Sequence, residues 1–374
     1  MIIFGTRPEI IKLSPVIRAF KRSRISPIVV HSGQHYDYEM SRVFLEELGL
    51  PEPDYHLEVG SGSHATQTGK TMIGIEKVIL KEKPDVTIVQ GDTNTALAGA
   101  LASVKVKVPV AHVEAGLRSF DRTMPEEINR VLIDHSSEVL FPPTKEAEIN
   151  LKREGITENV YITGNTIVDA VLENSKIAEE KSNILENLSL KPKGYILITV
   201  HRAENTDKKE NLEKLVNILE KLPFTIVYPI HPRTKKKLMS FGLWERMEKI
   251  SNLIITEPLG YLDFLKLEKN AKIILTDSGG IQEEAITLNV PCLTLRYNTE
   301  RPETIDAGGN ILVGLETERV LYYVQKLIED KSFYKAMSSA KNPYGDGKAG
   351  KYISKILLGL YASGNLKVRS SRFI

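Results

Sequence analysis

Short runs of β-branched and apolar residues, each followed by an amphipathic stretch, limit this 374-residue chain to few folds. Residues 2–4, 28–31, 86–90, 109–113 and 139–141 read as strands, and a second series follows at 195–200, 225–229, 253–256, 272–275 and 291–295. Between them lie helical patterns such as PEIIKLSPVIRAFKR, QTGKTMIGIEKVILKE and KENLEKLVNILEKL. Strands that alternate with helices form mainly parallel sheets covered on both faces. The series breaks at residues 174–193, a charged segment without strand character that reads as a linker zone. The expected class is α/β with two doubly wound domains, 1–173 and 174–350. A last helix within 351–374 is expected to cross back to the first domain after the Gly-rich NPYGDGKAG. Open α/β sheets take ligands beyond the carboxyl ends of their strands. A cleft between two such domains is the natural site, so the informative residues should follow strands directly.

Composition removes several function classes. Fifty basic residues against 48 acidic ones give a net charge of +2, with no global pull towards nucleic acid or an anionic membrane. The single cysteine, Cys292, excludes an intrachain disulfide and a multi-cysteine metal site, and fits a reducing, cytoplasmic setting. The apolar run that opens MIIFGTRPEII is too short for a signal peptide. No apolar stretch approaches the ~18 residues of a membrane span. The eight histidines form no H-E-x-x-H pattern, so no zinc site is expected. The terminal KVRSSRFI reads as a frayed basic tail.

TDSGGIQEEA, residues 276–285, is the most telling strand end: AKIIL runs into a glycine pair that opens a helix. Unpaired N–H groups and the positive end of the dipole suit an anion there. Ser278, Gly279 and Gly280 offer those groups without side-chain bulk, which lets a diphosphate approach. Glu284 is placed to accept hydrogen bonds from a ribose, while Glu283 points elsewhere. The plainer alternative is a Ser/Asp cap with acidic residues favouring the dipole. Diphosphate and ribose together describe one nucleotide. GYILITVHRAEN sets His201 and Arg202 after the second domain's first strand, and FTIVYPIHPRT does the same with His231 and Arg233. One such histidine is as well read as a structural group; two His-basic pairs favour an anion-binding face.

In the first domain, GTRPEIIKLSP follows the first strand. Thr6 and Glu9 have capping-box spacing and Pro8 suits a first turn, so the plain reading is a helix start with a solvated Arg7. An arginine at this strand-to-helix turn also suits a phosphate, with Lys12 as a second cation. The G-x-G-x-x-G fingerprint of a dinucleotide cofactor is absent. Asp92 in IVQGDTNT follows a strand, where it either caps a helix starting near Thr95 or faces a ligand. Glu114 ends the buried-looking VPVAHV, which makes a purely structural role harder to sustain. Thr123 and Glu126 again match a capping box. Glu127 is turned ~100° from Glu126, so the two cannot face one ligand.

The blocks GTRPEIIKLSP, QGDTNT, HVEAGLRS, MPEEINR, HRAEN, HPR, DSGGIQEEA and ERPET occur in order from Gly5 to about Gly314. Together they resemble the non-hydrolysing UDP-N-acetylglucosamine 2-epimerases. The resemblance implies two Rossmann-like domains facing a cleft in a glycosyltransferase-B-like fold, and a homodimer. It implies reversible conversion of UDP-GlcNAc to UDP-ManNAc, with no nicotinamide cofactor and no metal in the chemistry. By the same resemblance, Arg7, Lys12, Ser278, Gly279, Gly280 and Arg301 contact substrate around the diphosphate, and Glu284 the ribose. EPLGYLDF frames the uracil, Leu259 through its backbone and Phe264 through its ring. Asp92, Glu114, Glu126 and His201 form the catalytic set around the sugar, and Arg202 and His231 join the substrate-binding residues. GQHYDYEM resembles part of an activator site of bacterial relatives, but it is longer by a residue, and Lys70 stands where arginine is common.

Inversion at carbon 2 must remove a barely acidic hydrogen. The expected route breaks the anomeric C–O bond so that UDP departs, and a 2-acetamidoglucal forms as a carboxylate takes the proton. Closely spaced carboxylates are expected to hold one pKa high enough to keep a proton available. A hydrolysing epimerase, a UDP-sugar-dependent glycosyltransferase and a non-catalytic nucleotide-sugar sensor are the rival readings.

Overall fold

The computed structural model describes residues 1–33 and 44–368. Residues 34–40 of GQHYDYEM and 369–374 of the basic tail lie outside the described residues. The chain divides into two compact units: Met1–Ala170 together with the chain's end from Tyr344, and Val171–Pro343.

In the first unit, β1 (Ile2–Phe4), β2 (Val29–His31), β3 (Tyr55–His56), β4 (Thr87–Gln90), β5 (Val110–Val113) and β6 (Val139–Phe141) form a parallel sheet. Its order is β3-β2-β1-β4-β5-β6. The second unit holds β7 (Tyr195–Thr199), β8 (Thr225–Pro229), β9 (Leu253–Thr256), β10 (Ile273–Thr276), β11 (Cys292–Thr294) and β12 (Asn310–Leu312). These strands are also parallel, in the order β12-β11-β10-β7-β8-β9. Counted from its own first strand, each sheet runs 3-2-1-4-5-6, with a switch point between β1 and β4 in one and between β7 and β10 in the other. Doubly wound folds bind ligands at that reversal.

Apolar burial explains the order. Ile2, Ile3 and Phe4 are fully buried, as are Ile273, Ile274 and Leu275, because helices cover both faces. The sequence pattern missed β3, which has only two residues, and β12, which opens on the polar Asn310. Residues 174–193, expected as a linker zone without strand character, carry helix: Thr166–Lys181 runs through the first part of that segment, and Ile184–Asn187 adds a further turn. Val171, Asn174, Ser175 and Ala178 are buried at helical spacing, and the charges occupy the other face. The passage from one unit to the other thus falls inside a helix, at Ala170–Val171.

The helix Ala349–Ala362 packs on the helix Arg7–Arg22 within the first unit. Asp169 accepts hydrogen bonds from the N–H groups of Ala349 and Gly350, at 3.1 and 2.9 Å, and so secures the helix start. At Gly350 a Cβ would lie 2.7 Å from the Pro15 carbonyl, whereas at Gly359 it would meet nothing within 4 Å. Gly350→Val is therefore expected to destabilise the protein by about 1–3 kcal/mol. Gly359→Ala, in an exposed helix interior, should be neutral or stabilising by up to ~1 kcal/mol. Thermal unfolding followed by circular dichroism checks both; equal effects of the two substitutions contradict the packing argument.

Candidate functional site

Around the first switch point, the turn after β1 is built on a buried carboxylate. Glu9 Oε2 accepts from Gly5 N (3.0 Å), Thr6 N (2.8 Å) and Thr6 Oγ1 (2.8 Å), while Oε1 accepts from Thr93 Oγ1 (2.6 Å). The capping box expected at Thr6 and Glu9 is formed. It also ties the loop after β1 to the loop after β4. Thr93, not Asp92, caps the helix Asn94–Lys105, accepting from Ala96 N at 3.0 Å. Asp92 is left to other work. It accepts from Arg130 Nε at 2.9 Å, and its backbone carbonyl accepts from Asn129 Nδ2 at 2.8 Å.

Glu114 follows β5 with φ 69°, left-handed for a non-glycine residue. Both its carboxylate oxygens accept from Lys12 Nζ, at 2.8 and 2.7 Å, and Gln90 Nε2 donates to Oε2. Lys12 is thus engaged with the Glu114 carboxylate. Beneath these loops lies a buried polar support: Asp134 holds His112 Nδ1 at 2.6 Å and Arg118 at 2.8 Å.

The capping box expected at Thr123 and Glu126 is not formed. The helix Pro125–Ser136 has Met124 at its N-cap, and Thr123 donates instead to Asp121, from N at 2.9 Å and Oγ1 at 2.6 Å. Glu126 is exposed in the first turn, while Glu127 is buried. Burial alone would raise the Glu127 pKa, but donation from Ser119, Phe120 and Arg130 outweighs it and lowers it. Arg130 therefore bridges Asp92 and Glu127. Arg7 is exposed, its guanidinium 5.7 Å from the centre of the Phe44 ring. Lys70 is exposed on the helix His64–Glu82.

At the second switch point the organiser is Asp277, fully buried after β10. It accepts from His201 N (3.1 Å), Arg202 N (2.9 Å) and Asn205 Nδ2 (3.1 Å), which fixes the loop after β7 against the loop after β10. Desolvation lowers the His201 pKa, with Arg202 and His231 adding to the shift and Asp277 opposing it. The His201 and His231 rings lie 6.0 Å apart. In the second His-basic pair both members already have partners within the unit. His231 caps its own helix, Nδ1 accepting from Arg233 N at 3.2 Å, and the Arg233 side chain is paired with Asp207 at 2.6 Å.

Ser278 is the N-cap of the helix Gly279–Thr287 without capping it through its hydroxyl. A Cβ on Gly279 would come no nearer than 3.4 Å to another atom, and one on Gly280 no nearer than 3.9 Å. No crowding by this unit demands either glycine, so the space at the helix start is open to a ligand. Arg301 Nε is paired with Glu283 at 2.7 Å, and Arg202 with Glu300 at 3.4 Å. Leu259 and Phe264 are half-buried and, like Ile281 of the same helix, pack on the cluster that contains Ala285.

Arg130, Gln90 and Asp277 carry much of this geometry and were not singled out in the sequence. Arg130 lies within the quoted MPEEINR, Gln90 within QGDTNT and Asp277 within DSGG, but their partners are distant along the chain. For Glu9 the consequence is measurable. Burial pushes its carboxyl up to about 7, against the hydrogen bonds from Thr93, Gly5 and Thr6. A carboxyl raised in the folded state contributes stability that is fully present below its ordinary pKa and lost as pH rises through about 7. Wild-type stability relative to Glu9→Gln should therefore fall by on the order of 3 kcal/mol between pH 4 and pH 8. Calorimetric unfolding at both pH values measures this difference, and a constant gap between the two proteins contradicts it.

A family model described as UDP-N-acetylglucosamine 2-epimerase matches residues 18–358. The chain is 55% identical over 363 residues to the UDP-N-acetylglucosamine 2-epimerase of Methanocaldococcus jannaschii, covering 95% of this chain and 98% of the relative. The enzyme of that name from Methanococcus maripaludis is 54% identical over 365 residues, with 96% and 98% covered. The crystal structure of the Methanocaldococcus jannaschii enzyme in complex with UDP-GlcNAc and UDP is similar with a TM-score of 0.83, covering 96% of this chain and 99% of that one. On this evidence the chain belongs to the UDP-N-acetylglucosamine 2-epimerase family.

Proposed function

We propose that the protein interconverts UDP-GlcNAc and UDP-ManNAc by inversion at carbon 2 of the sugar, without releasing free sugar. The observation that carries this reading is the set of strand-end carboxylates, Asp92 beside Arg130 and Glu114 beside Lys12, in a chain of this family. A glycosyltransferase needs an acceptor groove; an epimerase needs acid and base groups at the sugar, and these are what the residues after β4 and β5 supply.

The bond that breaks first is the anomeric C–O bond, and its electron pair leaves with UDP. Arg7, Arg301 and the helix start at Ser278–Gly280 are assigned to the charge that develops on the diphosphate. Cationic character on the ring acidifies the carbon-2 hydrogen. A carboxylate of the set Asp92, Glu114 and Glu126 takes that proton, and the C–H electron pair becomes the double bond of a 2-acetamidoglucal. Protonation of the opposite face by a second group, with return of UDP to carbon 1, gives the epimer. His201 is assigned to a phosphate or sugar hydroxyl, Lys12 to the diphosphate and Arg202 and His231 to substrate binding, with Glu284 on the ribose and Leu259 and Phe264 at the uracil. The sequence is redox-neutral and draws on neither a nicotinamide nor a metal, so turnover should survive exhaustive chelation.

Among the described residues no helix is long and apolar enough to cross a membrane. The buried Cys292 thiol, pushed up to about 12 by burial, suits the cytoplasmic location we assign. Exposed Ile73, Leu80 and Leu132 on helices of the first unit support the proposed homodimer, which light scattering of the purified protein tests.

Incubation with UDP-GlcNAc alone in heavy water, followed by proton NMR, tests the reaction. A new UDP-ManNAc anomeric signal with deuterium at carbon 2 is expected; free ManNAc plus UDP indicates hydrolysis, and no change without an acceptor indicates a transferase or a sensor. Asp92→Asn, Glu114→Gln and Glu126→Gln should each lower turnover by at least about 100-fold while UDP still binds. Near-wild-type turnover removes the residue from the catalytic set. Arg7→Ala should weaken UDP itself, and unchanged affinity by calorimetry contradicts its phosphate role.

A further inference from the structure

Behind Glu284 lies a second carboxyl that the proposed reaction does not use. Glu268, on the helix Tyr261–Asn270, is fully buried, and its side chain is within hydrogen-bonding reach of Glu284 on the helix Gly279–Thr287. No N–H or O–H donor of the described residues reaches either oxygen of Glu268 by direct hydrogen bond. The groups around it bring no positive charge. The Tyr195 hydroxyl of β7 donates to Leu267 O at 2.6 Å, and Cys292 of β11 is a neutral thiol. Lys266 on the same helix is spent on Ser182 O at 2.6 Å, and Lys269 on Glu179 at 3.2 Å. Leu267, next to Glu268 in the chain, belongs to a buried apolar cluster with Leu197, Ile274 and Ala285.

Two ionised carboxylates in contact, the deeper one with neither a cation among the described residues nor a water-facing route, are too costly to persist. One proton must be shared, and it belongs on the more buried group: Glu268 is 0% exposed and Glu284 8%. We propose that Glu268 is a positioning residue for nucleotide recognition, a neutral carboxylic acid that donates to Glu284 and keeps it charged and fixed in orientation towards the ribose hydroxyls. Burial, with Glu284 as the next cause, drives the Glu268 carboxyl well above the ordinary carboxylate range, in agreement with the geometry. The inference rests on the reading of Glu284 as the ribose acceptor.

Calorimetry with UDP and with 2′-deoxy- and 3′-deoxy-UDP tests it, on wild type, Glu268→Gln, Glu268→Leu and Glu284→Ala. Wild type should hold UDP at least about tenfold tighter than the poorer deoxy analogue, the scale of one lost charge-assisted hydrogen bond. Glu268→Gln, which still donates, should keep that ratio within about twofold, and Glu268→Leu should collapse it towards one. Should Glu268→Leu keep the wild-type ratio while Glu284→Ala loses it, the role of Glu268 is overturned and the ribose reading stands. Should Glu284→Ala also keep it, the ribose reading falls and the inference falls with it. If Glu268→Leu fails to fold, infrared difference spectra decide. At pH 8 wild type should show a protonated carboxyl band that Glu268→Gln lacks, and the absence of that band in wild type overturns the proposal.

Discussion

A parallel strand covered by helices on both faces has no position along its length where a charge can be solvated. Charged groups are therefore forced to the strand ends, and in this chain they collect there. Arg7 follows β1, Asp92 follows β4 and Glu114 follows β5; His201 follows β7 and Asp277 follows β10. Because both sheets adopt the same order, each unit has one place where helices leave the sheet in opposite directions, and there the loops diverge enough to admit a ligand. Everything proposed about function depends on that topological constraint operating twice.

The two switch points are electrostatically different. In the first unit, carboxylates alternate with cations: Lys12 against Glu114, and Arg130 between Asp92 and Glu127. In the second, the one buried carboxylate at the strand end, Asp277, is consumed by backbone N–H groups and Asn205. What it leaves towards solvent is imidazole, guanidinium and a helix N-terminus. One environment favours a developing cation and the other a departing anion. The proposed elimination, which separates an oxocarbenium-like ring from UDP, calls on both.

Much of this was legible in the sequence because strand ends are local. TDSGG, QGDT and HVEAG each announce a buried run that stops at polar residues, and the sheet places them as expected. Pairings between distant segments were not legible. Arg130 reaches Asp92 across 38 residues, Asn205 reaches Asp277 across 72, and Lys12 reaches Glu114 across 102. Where two cap candidates stood side by side the sequence left both readings open: Thr93 and Asp92 both suit an N-cap, and the hydrogen bond from Ala96 N to Thr93 Oγ1 decides between them. The helix Thr166–Lys181 was missed because its buried face includes Asn174 and Ser175, which weaken the apolar period without breaking it.

Glu114 shows how a site residue departs from what local propensity prefers. Gln90 and Val113 are partners in the β4–β5 register, so Gly91 and Glu114 occupy the same step beyond adjacent strands. Both turn left-handed, with φ of 71° and 69°. At Gly91 the absence of a Cβ makes that conformation easy. At Glu114 it costs about 1–2 kcal/mol relative to an ordinary backbone, a penalty a second glycine would remove. The carboxylate is what a glycine cannot supply, and its orientation is fixed by Lys12 on both oxygens and by Gln90. A residue that is strained, buried and gripped by two donors has almost no rotamer freedom left. That is the condition the proposed role of Glu114 at carbon 2 of a sugar would require, and it is met at a strand end where the backbone would rather have no side chain.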